Sequence, residues 1–103
     1  MSASFVQTGG VRIGGGFNAA CFNATWPFAN LVVGDENLML VYLWRNWTFS
    51  KKSIRRLSKH RGLFSSGLRI EHDIALYPAF IVFWSMGFVE LKSELEKGGY
   101  VVS

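Results

Sequence analysis

The sequence predicts a mainly β fold: about seven short antiparallel strands, curled into a barrel or into two near-orthogonal sheets, and capped by one C-terminal α-helix at about residues 86–97. Three observations predict it. Apolar residues alternate with period two along most of the 103 residues, the spacing of a strand with one buried face. Turn-forming groups, Gly34-Asp35-Glu36-Asn37 and Pro78, interrupt that alternation. Only the last segment changes period. There Phe88, Leu91 and Leu95 fall at i, i+3 and i+7, the stripe of an amphipathic helix. One helix cannot cover a flat sheet of that many strands, so the sheet is expected to curl.

In chain order, Val11 and Ile13 alternate before the glycines at 14–16 break the run, which suits two short strands around a glycine hinge or bulge. Trp26-Pro27 marks a turn or a change of direction. Leu31 and Val33 share a strand face ahead of the 34–37 hairpin turn. Residues 38–44 are apolar on both faces, with Met39, Val41 and Leu43 opposed to Leu38, Leu40, Tyr42 and Trp44. Only one of those faces fits inside a small barrel, so the other calls for cover. Arg45-Asn46 suggests a tight turn, and Trp47–Phe49 a returning strand. Leu68, Ile70, His72 and Ile74 face one way and Arg69, Glu71 and Asp73 the other, as an exposed ion-pair ladder. Residues 79–84 read as a buried strand. Ser85 is placed to cap the helix, and Gly98-Gly99 to end it in a left-handed turn. Residues 1–9 are expected to be a flexible N-terminus ahead of a single domain, 10–103.

Composition supports a packed globule. Half of the residues are hydrophobic and 16% are aromatic, which supplies a small domain with burial energy. With one cysteine, Cys21, no internal disulfide can form. That suits a reducing compartment, and Cys21 reads as a buried structural thiol. No basic region followed by an apolar run opens the sequence, and the apolar run 74–89 is short for a membrane helix and contains Pro78. A cytoplasmic protein, at most peripheral to a membrane, is expected.

Charge is concentrated. Lys51, Lys52, Arg55, Arg56, Lys59 and Arg61 are six of the eleven Lys and Arg, leaving five against seven Asp and Glu elsewhere. A bulge or short helical turn would let Ile54 and Leu57 both face the core and push Arg55, Arg56 and Lys59 outward. Two readings stand: a solvated edge strand whose charges deter edge pairing, or an anion site for phosphate, acidic lipid or acidic protein. Nucleic acid is disfavoured, because the stretch does not interleave exposed aromatics with its charges.

No catalytic constellation is legible. His72 lies on the apolar parity of its strand and reads as a satisfied histidine at the barrel rim. His60 sits among cations that oppose a metal, and no zinc-ligand spacing occurs. Residues 9–16 are glycine-rich but lack the Lys-Ser/Thr of a phosphate-binding loop. Neither metal nor cofactor is expected.

The order of these pieces resembles the pleckstrin-homology-like superfold, above all the small bacterial pleckstrin-homology-like proteins and the related GRAM domains. Residues 29–40, ANLVVGDENLML, resemble the family's hairpin. Residues 47–59, WTFSKKSIRRLSK, resemble its segment in which an isoleucine, here Ile54, precedes an aliphatic residue, here Leu57, by three. GLRIEH at 67–72 with AFIVFW at 79–84 resembles the late strand pair, and FVELKSELEKGGYVV at 88–102 the closing helix. The helix lacks the tryptophan of many eukaryotic members, and only Arg12 stands near the first loop, so phosphoinositide binding is not implied. The resemblance implies a non-enzymatic binding or scaffolding module. Its expected partner is a protein or a second copy of itself, as a homo-oligomer. The alternative is an acidic membrane surface or nucleic acid contacted by the cations of 51–61.

Overall fold

The computed structural model describes residues 5–14, 22–42, 45–62 and 66–103. It contains β1 (Phe5–Gly14), β2 (Phe22–Val33), β3 (Asn37–Tyr42), β4 (Arg45–Ser50), β5 (Ile54–Arg61), β6 (Ser66–His72), β7 (Phe80–Ser85) and α1 (Phe88–Lys97). All seven strands are antiparallel to their neighbours and follow the order β4-β3-β2-β1-β7-β6-β5. Hydrogen bonding is continuous, because β1 pairs with both β2 and β7. The result is one sheet curled into a half-barrel, with α1 in its concavity.

The alternation in the sequence becomes the inner face. Val11, Ile13, Leu31, Val33, Leu38, Leu40, Phe49, Leu68, Ile70, Ile81 and Phe83 are all buried in one core cluster with Leu91 and Leu95 of α1. The helix stripe is thus the lid of the core, and Phe88 packs at its margin. At its far end Gly99 takes φ +90, which suits the glycine expected there. The amides of Gly98, Gly99 and Tyr100 return to the last-turn carbonyls.

Several expectations change. β1 begins at Phe5, and Phe5–Gly9 pair with Val33–Ala29, so the first strand extends into the segment expected to be flexible. Trp26-Pro27 does not end a strand. It lies inside β2, where the pairing shifts from Gly9↔Ala29 to Val11↔Ala24, so residues 25–28 bulge opposite Gly10. Arg45 and Asn46 pair with Tyr42 and Val41 and open β4 rather than turning the chain. Ser85 is not the helix cap, a position held by Gly87. Its buried hydroxyl donates to Gln7 Oε1 and accepts the Gly87 amide at 3.0 Å, while Gln7 Nε2 donates to the Gly87 carbonyl at 3.0 Å. This clamp ties the start of α1 to β1. Gly15, Gly16, Cys21, Leu43 and Trp44 lie outside the described residues.

Candidate binding faces

The basic segment adopts the local geometry its apolar residues require. A 3₁₀ turn at Lys51–Ser53 leads into β5, and the pairing with β6 shifts between Ile54 and Arg56. The resulting bulge at Arg55 resets the parity. Leu57 is 1% exposed and Ile54 packs against the core. From there Arg56, Ser58 and His60 face outward.

The six cations do not converge. Lys51 Nζ donates to the Gly98 carbonyl at 2.6 Å and lies 4.7 Å from the Tyr100 ring centroid. It neutralises the partial negative charge at the C-terminal end of α1. Arg55 meets Asp73 at 3.8 Å, an exposed pair of little energetic weight. Lys59 sits 5.4 Å from the Phe88 ring centroid. Lys52, Arg56 and Arg61 are exposed, and none makes an ion pair among the described residues. Within one segment, then, cations are sent to the helix end, the helix start, the bulge and the outer sheet face.

β5 is the terminal strand of the sheet, and its free edge is partly covered by the chain's own tail. Val102 bridges Leu57 in parallel; the Ser103 amide donates to the Leu57 carbonyl at 2.8 Å and the Lys59 amide to the Ser103 carbonyl at 3.4 Å. Tyr100 anchors the tail: its ring is buried and its phenol donates to the Gly34 carbonyl at 2.8 Å. Burial, helped by the charges of Glu36 and Asp35, pushes the phenol from 10.0 up to about 12. Once unfolded, the phenol loses its proton near 10; folded, it holds it to about 12. The native state therefore binds the extra proton, and stability is expected to fall as pH rises through that window. Thermal melts across the window should show the fall in wild type and its loss in Tyr100→Phe.

His72 is satisfied at the rim, as its parity suggested. Its Nδ1 accepts the Ile74 amide at 2.9 Å, so Nε2 carries the hydrogen and donates to the Pro78 carbonyl at 2.7 Å. Among the described residues no three His, Cys, Asp or Glu side chains group as metal ligands. The expected ladder of Arg69, Glu71 and Asp73 does not form. Arg69 turns instead onto Phe80, its guanidinium carbon 5.3 Å from the ring centroid.

That turn belongs to an outer face that no single stretch of sequence displays. Across β1, β7, β6 and β5 the register sets Gly10, Trp84, Gly67 and His60 in one row. The next row is Arg12, Val82, Arg69 and Ser58. Phe80 lies opposite Gly14, and Arg56 opposite Glu71. His60 contacts both aromatics edge-on, 5.5 Å from Trp84 and 5.9 Å from Phe80 between centroids. Gly67 makes room for this, since a Cβ there would fall 3.0 Å from Trp84 Cε3 and 2.5 Å from Val82 Cγ1. Val82 is fully buried yet outside the core cluster, so this face has a packed centre of its own. One sequence signal was available: Phe80, Val82 and Trp84 share the outward parity of β7.

Among the described residues, two rows across the other half of the outer face carry no charge. Val6, Val32, Met39 and Thr48 form one row across β1–β4, and Thr8, Asn30, Val41 and Asn46 the next. Thr8 Oγ1 donates to Asn30 Oδ1 at 2.7 Å. Beside these rows the β2 bulge carries Trp26 and Phe28, each 57% exposed.

No family model matches the chain, and no curated protein or solved structure matches it. Among the described residues no helix is long and apolar enough to cross a membrane.

Proposed function

We propose that the protein is a non-catalytic, pleckstrin-homology-like binding module that pairs with a second copy of itself. The strand order supports the family reading, with β1–β4 and β5–β7 as its two half-sheets, joined through β1 and β7 and closed by the C-terminal helix. The observation that carries the self-association is the pair of uncharged rows across the outer face of β1–β4. Val6, Val32, Met39 and Val41 stand there, half-buried or exposed, with Trp26 and Phe28 beside them. A contiguous apolar surface is stabilised by cover. Across a two-fold axis it would meet its own copy, and with no charge in its rows that encounter carries no like-charge penalty. The arginine-bearing half of the sheet would repel its own copy.

Sedimentation velocity over a concentration series should show a dimer. Val32→Lys and Met39→Lys, at outward positions, should return a folded monomer, because each places two like charges in the interface. A wild-type protein that stays monomeric at high concentration would refute the reading. A dimer indifferent to both substitutions would place the interface elsewhere.

A further inference from the structure

We infer that the outer face of β7, β6 and β5, with Arg12 of β1, is a stacking platform for single-stranded nucleic acid. Such platforms combine aromatic rings, on which bases stack, with cations that track the phosphates. This face has both in register. Trp84, His60 and Phe80 make a ring-to-ring cluster, and Arg12, Arg69 and Arg56 border it. Residues two apart along a strand are separated by roughly 7 Å and adjacent strands by roughly 5 Å. Rings and guanidinium groups therefore alternate at about the spacing of an extended strand's bases and phosphates.

On this side cations outnumber acids. Glu71 is the one acid in these rows, opposite Arg56, and the two make no ion pair. Of the other acids, Asp35 and Glu36 lie in the β2–β3 turn, Glu90, Glu94 and Glu96 on α1, and Asp73 after β6 beside Arg55. Arg69 is already oriented by Phe80, and its Nε is buried without a hydrogen-bond partner. Its guanidinium is thus held on the ring, where a stacked base would meet it. The interleaving of aromatics with cations that residues 51–61 lack on their own is assembled here from four strands, β1, β5, β6 and β7. The aromatics are half-buried, which favours stacking bases over a lipid surface that protruding apolar groups would enter.

The test is fluorescence anisotropy of labelled twelve-nucleotide oligo-U and oligo-dT, an arm for each sugar. Binding is expected at low salt. Three phosphate contacts should give a log–log salt slope of about −2, or roughly a 20-fold loss of affinity between 50 and 200 mM. Trp84→Ala should weaken binding about tenfold. Arg12→Glu, at an exposed position, should weaken it further and flatten the slope, with the circular dichroism spectrum unchanged. Lys92→Glu, the same charge change on exposed α1, should leave binding nearly intact. Three results would each overturn the inference: no binding of either oligonucleotide at low salt, equal losses in Arg12→Glu and Lys92→Glu, or co-sedimentation with phosphatidylserine vesicles but no oligonucleotide binding. A monomeric protein that still binds would refute the dimer and leave this face standing.

Discussion

Gly9→Ala is expected to destabilise the domain by about 3 kcal/mol or more. Gly9 lies where β1 pairs with β2 on one side and β7 on the other, at the residue where the β2 register shifts. A Cβ there would overlap the backbone carbonyl oxygen of Trp84 and stand 2.8 Å from Phe83 Cζ. A flexible side chain could swing away, but a carbonyl held in the sheet cannot. Relief requires β1 and β7 to part, and that pair joins the two halves of the sheet. Urea unfolding should show a large fall in midpoint or no cooperative transition at all. Gly87→Ala is the control: its Cβ would stand 3.4 Å from Gln7 Nε2, an ordinary contact. A Gly9→Ala midpoint equal to that of Gly87→Ala would mean that β1 and β7 are not paired in this register.

Leu57→Ala should cost about 2–5 kcal/mol, the usual range for emptying a closed core site. Lys52→Ala and Arg61→Ala, exposed in the same segment, should stay within about 0.5 kcal/mol. Leu57 also accepts the tail: its carbonyl receives the Ser103 amide, and Val102 bridges it. The cavity would therefore loosen the cover of the β5 edge as well as the core. Hydrogen exchange should show the Ser103 amide opening faster in Leu57→Ala than in wild type, relative to each protein's global unfolding. Equal costs for Leu57 and Lys52 would refute the view that the segment is seated by its apolar residues and that its cations are what remains outside.

Much of the fold was legible. Leu31 and Val33, Leu68 and Ile70, and Ile81 and Phe83 each sit two apart in sequence and together in the core. Phe88, Leu91 and Leu95 read as a helix stripe and form one. Even the bulge at Arg55 follows from the three-residue spacing of Ile54 and Leu57, which no regular strand can place on one face. What failed did so because pairing across the fold overrode local residue chemistry. Arg45-Asn46 carries turn chemistry, but pairing with β3 holds it inside β4, while Trp26-Pro27 changes the direction of β2 as a bulge without ending the strand. Ser85 suits a helix cap by residue type, yet Gln7 takes its hydroxyl into a clamp seventy-eight residues away in sequence.

The faces available for binding were less legible than the core. Residues 51–61 concentrate six cations in eleven positions. Proximity along a strand does not make a patch, since alternate residues leave opposite faces; the bulge and the 3₁₀ turn divide these cations further. Arg12, Arg69, Phe80 and Trp84 are scattered along the chain, and only the pairing of β1, β7, β6 and β5 sets them side by side. The sequence by itself determined which residues share an apolar stripe, because that follows from a period of two or 3.6 that any neighbour would satisfy. Tertiary structure alone decided which exposed residues meet, because contact across strands depends on their order and register, and neither is written in the spacing of any one of them.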